Sequence, residues 1–348
     1  MRKSFLPKLT VLAAVFALAL TGCQSKSNNT TSAETSATES AETTAAETTT
    51  AEATTVEVTD IHGTVTVPVN PKTVVALDNR TFETLSDWGI KLAAVPKGVM
   101  PADSPYVADS EVQDIGNHSE PNLEIIAAAD PELVIVGQRF ASYYEEIKKL
   151  VPNAAVVDLS FQVSKEAGKS GESFVTGLKD STIALGKIFN KNDEAEKLTA
   201  DFDQSIEKAK SAYNGTDKIM SVVVSGGDIG FSAPVSGRVW GPLYEVFGWT
   251  SALEVSGATS DHQGDDISVE AIAQSNPDWI FVLDRDAAIS STKDAVPAQD
   301  VINNSPALQN TTAITKGQVV YAPNDTYTNE SIQTFIELFD NLATSLTK

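Results

Sequence analysis

The chain has 348 residues, a formal net charge of −22 and a single cysteine. That charge argues against nucleic acid and against an anionic membrane surface as partners. One thiol cannot form an internal disulfide or a thiolate metal cluster.

Arg2, Lys3 and Lys8 form a positive start, and Leu9 to Leu20 is an apolar run interrupted only by Thr10. The run is short for a permanent span and sits where the hydrophobic region of a secretory signal belongs. It ends in Leu20-Thr21-Gly22-Cys23, which resembles a bacterial lipobox. The expected reading is a signal peptide over 1–22 and a diacylated Cys23, whose two lipid chains anchor the protein on the extracytoplasmic face of the cell membrane. A signal peptide with an incidental cysteine is the plainer alternative. From there to residue 55 the chain is nearly all Ser, Thr, Ala, Glu and Asn. Such a segment buries too little apolar surface to offset its ordering entropy, so 23–55 is expected to be a disordered tether.

Roughly 290 residues remain, enough for one large domain or two moderate ones. Val56 to Val69 reads as a hairpin around His62-Gly63. Thr73 to Leu77 is a buried strand, followed by a helix over Thr81 to Trp88 that stops at Gly89. Short apolar strands at Leu133 to Val136 and Ala154 to Leu159 continue the alternation, which predicts parallel sheets covered by helices. From about Gly171 to Tyr213 the pattern is helical, with a break at Asn190 to Asp193. Ile219 to Val224 opens a second strand–helix series, which closes on a helix from Glu330 to Leu346. The expected division is therefore an N-terminal lobe over 56–170, a stiff connecting helix over 171–192 and a C-terminal lobe over 193–348.

An internal repeat supports two related halves. Asn122 to Arg139 aligns without a gap on Ser268 to Arg285. Each copy offers a capping residue, a short helix ended before proline, an apolar strand, and an Arg just past it. Glu124 matches Glu270 near the start, and Arg139 matches Arg285 at the end. Only five residues are Arg against twenty Lys, so each position carries information. Besides Arg2 they are Arg80, Arg139, Arg238 and Arg285, all after a predicted strand or in a turn leading to a helix. Ligands of open α/β sheets sit at the carboxyl ends of strands, so these arginines predict a cationic cleft. The planar guanidinium fork suits paired carboxylate or catecholate oxygens. The alternative is local pairing, for instance of Arg285 with Asp284 or Asp286.

Gly116 to Glu124, Asp130 to Arg139, Ser236-Gly237-Arg238, Asn276 to Arg285 and Val319 to Pro323 together resemble the siderophore-binding lipoproteins of iron ABC importers. The nearest branch is that of the catecholate and petrobactin binders, which are class III substrate-binding proteins. The resemblance covers the chain from about Val56 to the C-terminus. It implies an α/β fold of two Rossmann-like lobes joined by a long rigid helix, with no catalysis and the ligand between the lobes. It further implies that Arg139, Arg238 and Arg285 face a ferric siderophore, that the partners are the chelate and an ABC permease, and that the protein is a monomer. His262 lies at about the spacing of a histidine that ligates iron in some relatives. The companion tyrosine falls at Tyr327, though Thr328 is the other candidate for that position. Glu124 and Glu270 match the two glutamates that dock on the permease; both also suit a helix N-terminus electrostatically.

Arg80 and Trp240 complete the expected ligand-binding set, with Tyr244, Trp249 and Tyr143 or Tyr144 as further aromatic candidates for which core packing is the default. His118 reads as a loop residue and His62 as part of the hairpin turn. A heme or cobalamin receptor on the same scaffold is the competing binding function. An enzyme is the third, but no nucleophile elbow, His-Glu-x-x-His or phosphate loop is found. Ser225-Gly226-Gly227-Asp228 is the nearest approach to a glycine loop.

Overall fold

A computed structural model describes residues 54–166, 168–289 and 295–348. The signal segment, Cys23 and nearly all of the tether lie outside the described residues.

The chain enters through an antiparallel hairpin, β1 (Thr55–Asp60) and β2 (Gly63–Pro68), paired from Thr55–Pro68 to Asp60–Gly63. Alternation puts Val58 and Val67 into the core of the first lobe. The N-terminal sheet contains β3 (Val74–Ala76), β4 (Ala94–Val95), β5 (Gln113–Asp114), β6 (Leu133–Val136) and β7 (Ala155–Asp158). Its order is β5-β4-β3-β6-β7 and every pair is parallel. All four residues of β6 are buried, as expected for a strand covered on both faces.

The second sheet contains β8 (Lys218–Ser225), β9 (Asp228–Phe231), β10 (Thr250–Ser251), β11 (Trp279–Asp284) and β12 (Val319–Tyr321). Its order is β10-β8-β11-β12, parallel throughout, with β9 antiparallel to β8. The Gly226-Gly227 pair is the two-residue turn of the β8–β9 hairpin, both glycines at positive φ (63° and 86°). That is the backbone a twisted hairpin demands.

The repeat folds as the same unit twice. Asn122 Oδ1 accepts the Glu124 N–H at the start of the helix Leu123–Ala128, and Ser268 caps the helix Val269–Ser275. The residues before the two prolines, Asp130 and Asn276, take φ values of 45° and 44°. Each helix thus ends on a left-handed residue, a conformation that Asn and Asp tolerate best among non-glycines.

The helix Ser170–Ile188 joins the two units. Its N-terminal half gives Phe174 and Leu178 to the C-terminal core, and its C-terminal half gives Leu185 and Ile188 to the N-terminal core. Each such side chain contributes about 2 kcal/mol of burial, so the connector is part of both cores. It ends at Ile188, and a separate helix, Asn192–Ala212, follows. The last helix runs over Ile332–Leu346 and packs on that one, with the Phe202 and Phe339 rings 5.7 Å apart. It starts later than the sequence predicts. Ser331 is its cap, accepting the Thr334 N–H, while Glu330 is left-handed at φ 52° and stands outside the helix.

The C-terminal core is rich in rings. Phe281, fully buried, lies 4.8 Å from Trp249, 5.5 Å from Trp240 and 6.4 Å from Trp279 between centroids. Phe281→Ala is expected to lower unfolding free energy by ~3–5 kcal/mol, measured by urea denaturation. A loss under about 1 kcal/mol would show that the rings repack around the gap.

Candidate functional site

In the N-terminal sheet the chain builds outward from β3 to β4 and β5 on one side, and to β6 and β7 on the other. The order therefore switches between β3 and β6. In the second sheet it switches between β8 and β11. At such points the connections leave in opposite directions and open a crevice at the strand ends. Asn79 and Arg80 follow β3, and Gln138 and Arg139 follow β6. Ser225 ends β8, and Arg285 follows β11 and donates from Nη1 to Ser225 Oγ at 3.1 Å. Both crevices thus carry arginine. At the first, Gly137 permits a close approach that no other residue allows, because a Cβ there would lie 2.2 Å from Asp78 Cγ.

The short segment Asp325–Ser331, between β12 and the last helix, brings the two crevices together. Asn79 Nδ2 donates to the carbonyls of Thr328 and Asn329, both at 3.0 Å. The Tyr327 carbonyl accepts from Arg139 Nη2 at 3.1 Å and Arg238 Nη2 at 3.2 Å. The Tyr327 ring has Arg238, Arg285 and Arg139 guanidinium carbons 4.4, 5.2 and 5.9 Å from its centroid. An electron-rich ring face is a favourable neighbour for cations. Glu330 then supplies the anion. One carboxylate oxygen accepts from Arg80 Nη2 at 3.1 Å and Gln138 Nε2 at 3.0 Å, and the other from Arg238 Nη2.

Arg80 is further held over the Phe161 ring at 4.1 Å. Phe161 in turn seats against Gly177 of the connecting helix, where a Cβ would come within 2.2 Å of the ring. A cavity of about 290 Å³ lies beside this pair, its lining including Arg80, Arg238, Lys165, Phe161, Phe174 and Glu330. It draws residues from both lobes and mixes cationic with aromatic surface, the lining of a site for an anion with an apolar body.

Burial alone would raise the Glu330 carboxyl, but Arg238, Arg80 and Arg139 overcome it and hold the group down at about 2. Burial lowers Arg139 below its ordinary value; Glu330 opposes the shift and Arg238 adds to it. Arg80 and Arg238 bond this carboxylate and Arg139 feels its field, while Arg285 has Asp286 at 3.8 Å, so the four guanidinium groups face three buried carboxylates, Glu330, Asp286 and Asp78. Positive charge is therefore in surplus. Nε of Arg80, Arg139, Arg238 and Arg285 are all buried without an acceptor on the protein, so the cluster retains donors for the oxygens of an anion.

The expected residues separate into four groups. Arg80, Arg139, Arg238, Arg285 and Tyr327 meet in the cluster. Thr328, the other candidate for the tyrosine position, hydrogen-bonds the Asp325 carbonyl instead. His262 stands apart on an exposed loop, its Nδ1 3.8 Å from Asp261. Its neighbour Gln263 reaches the Ser225 hydroxyl that Arg285 also holds, at 3.4 Å, so the loop borders the cluster.

Trp240 is a correction. It is fully buried in the C-terminal core and lines no cleft, because the helix it precedes turns its ring toward Phe281. Tyr244 and Trp249 are core residues with it, and Tyr144 stacks on His62 at 3.7 Å. Glu124 and Glu270 are exposed on the first turns of the two repeated helices.

Sequence reasoning missed Glu330, Gln138 and His118. Gln138 had a signal, since it adjoins Arg139. Glu330 had a weaker one, three residues past Tyr327. His118 is drawn in from a turn: burial, then Arg139 and Arg238, push its imidazole below the ordinary value. Its Nδ1 is buried without a partner on the protein.

Asp78 supplies a pH test of this packing. Burial raises its carboxyl to about 6, against an opposing pull from Arg80. A carboxyl raised on folding binds its proton more tightly in the native state, so its contribution to stability falls as pH rises from about 4 to 6. The stability of Asp78→Asn relative to the native sequence should therefore improve by about 3 kcal/mol between pH ~4 and ~7. Parallel chemical denaturation curves at the two pH values measure this, and an unchanged difference would remove the burial argument.

A family model for periplasmic binding proteins matches residues 74–326. The chain is 31% identical over 271 residues to the petrobactin-binding protein YclQ of Bacillus subtilis, covering 77% of this chain and 79% of that one. It is 29% identical over 285 residues to the ferric-anguibactin-binding protein FatB of Vibrio anguillarum, covering 80% and 84%. The crystal structure of the Bacillus subtilis petrobactin-binding protein superposes with a TM-score of 0.70 at 27% identity, over 84% of this chain and 99% of that one. The two parallel-sheet lobes, the long helix between them and a match spanning both sheets identify the chain as a member of the periplasmic binding protein family, whose members bind substrates and catalyse no reaction.

Proposed function

We propose that this protein captures a ferric siderophore, of the catecholate type, in the cleft between its lobes and delivers it to an ABC importer. The observation that carries the reading is the convergence of Arg139, Arg238 and Arg285 on Tyr327, with Arg80 joined to them through Glu330, beside the switch points of both sheets. A surplus of guanidinium charge in a protein of net charge −22 calls for an anionic ligand, because only specific pairing and focusing in a cleft overcome the general field. Catecholate oxygens bound to iron(III) are anionic, planar and paired, which suits guanidinium forks and an adjacent aromatic wall. Two relatives are named as binding petrobactin and ferric anguibactin.

In this reading Cys23 carries the lipid anchor on the extracytoplasmic face. Exposed Glu124 and Glu270, one on each lobe, dock on cationic sites of the permease. Tyr327 and His262 are the two side chains available to iron that a chelator leaves incompletely coordinated, with Tyr327 already inside the cluster.

Titration of the purified protein with ferric catecholates, ferric hydroxamates, heme and cobalamin, followed by tryptophan fluorescence, tests the class of ligand. Saturable quenching by ferric catecholates is expected; saturation by heme or cobalamin alone would overturn the proposal. Arg139→Ala, Arg238→Ala and Arg285→Ala should each weaken binding by ~1.5–3 kcal/mol, the worth of a charge-assisted hydrogen bond. Normal binding by all three variants would place the ligand elsewhere.

Tyr327→Phe separates the two roles open to that ring. If the phenolate ligates iron, the variant changes the visible charge-transfer band of the bound complex. If the ring only stacks on the arginines, the band is unchanged and affinity falls by no more than about tenfold.

A further inference from the structure

Glu330 is unusual on three independent counts. It is an acid at the centre of the cationic cluster, its side chain is only 6% exposed, and its backbone is left-handed at φ 52°, ψ 27°. A glutamate gains nothing from that conformation, which is disfavoured for a residue with a Cβ and persists only when the surroundings impose it. The carboxylate also spans the lobes. Arg80 and Gln138 come from the N-terminal lobe, Arg238 and Glu330 from the C-terminal one, and both carboxylate oxygens are engaged.

We infer that Glu330 is a resident counter-anion that sets the charge preference of the cleft, by engaging Arg80 and Arg238 and penalising highly charged chelates. The inference rests on the proposed siderophore reading and deepens it. A chelate that approaches Arg238 also approaches the carboxylate held by that same guanidinium. Attraction to the arginines and repulsion by Glu330 both grow with ligand charge, whereas stacking and neutral hydrogen bonds do not. Removing the Glu330 charge should thus favour a trianion strongly, a monoanion less, and a neutral chelate hardly at all. Glu330 is too deeply held to be a surface ion pair of negligible effect. Gln138 adds a neutral donor to the same oxygen as Arg80, so an amide in place of the carboxylate keeps a hydrogen-bond acceptor within the cluster.

The test uses the full-length lipoprotein in detergent and three iron(III) probes: a trianionic tris-catecholate, a monoanionic bis-catecholate and a neutral tris-hydroxamate. Dissociation constants are measured for the native protein, Glu330→Gln, Glu330→Asn and the charge-conserving Glu330→Asp. Asn is included because it tolerates a left-handed backbone.

The expected result is a gain of roughly tenfold or more for the trianion in the neutral variants, a smaller gain for the monoanion and less than about twofold for the neutral probe. Glu330→Asp should keep the native ranking of the three. Equal changes for all probes, or none, would overturn the charge filter while leaving the siderophore reading intact. Unfolding of both neutral variants, seen by circular dichroism, would also overturn it, since the carboxylate would then serve the fold rather than selection. Failure of the native protein to bind any of the three would overturn the siderophore reading and this inference with it.

Discussion

Guanidinium groups repel one another, and burial deprives them of the water that would screen that repulsion. Three of them nevertheless surround one tyrosine here, with Arg80 joined to them through Glu330, and the rest of the site depends on how that repulsion is offset. Three means are visible. Glu330 accepts from two of the arginines, the Tyr327 carbonyl accepts from two, and the Tyr327 ring offers its face to three. All three come from one short stretch of chain, Tyr327 to Glu330. That stretch is the keystone of the cluster, and its left-handed end at Glu330 follows from having to aim the carboxylate back toward Arg80 while the next residue caps a helix.

The same stretch explains why the lobes meet where they do. The connecting helix shares its apolar face between both cores, which resists large rotations of one lobe against the other. Asn79, Arg80 and Gln138 then reach across to 328–330, and Thr84 and Asp87 bond Gln333 beyond it at 3.0 Å each. A cleft bounded by a shared helix on one side and a polar seam on the other has little freedom to open widely. Recognition in such a cleft rests on preorganised charge more than on closure around the ligand. Placing arginines at the ends of rigid strands serves that purpose, since their starting points do not move.

Symmetry between the halves has a functional counterpart and a limit. The repeated unit delivers Arg139 and Arg285 to equivalent places, and it exposes Glu124 and Glu270 on equivalent helix starts. Beyond that the lobes differ. The first closes its crevice with Gly137 against Asp78, while the second closes it with a glycine hairpin whose Gly226 N–H is held by Asp286 at 2.5 Å. Arg238 and Glu330 have no counterparts in the first lobe, and they give the cluster its asymmetry.

Much of this protein was legible along the chain because the relevant physics is local. A four-residue β-branched and aliphatic run between a proline and a glycine is long enough for a buried strand and short for a helix, so β6 appears where Leu133 to Val136 predict it. A capping residue, a pre-proline stop and an arginine at a strand end recur in both halves, and they located Arg139 and Arg285. Other features depended on partners distant in sequence. Trp240 looks like a cleft aromatic until Phe281, on a later strand, claims it for the core. Glu330 looks like the first residue of a helix until Arg80, 250 residues earlier, draws its carboxylate into the cluster. Local pattern determined the strands, the repeat and the arginines, because each needs only neighbours within a few residues. Which side chains share one cleft, and which charge is already answered within it, was decided by tertiary packing, because both depend on where separate strand ends meet.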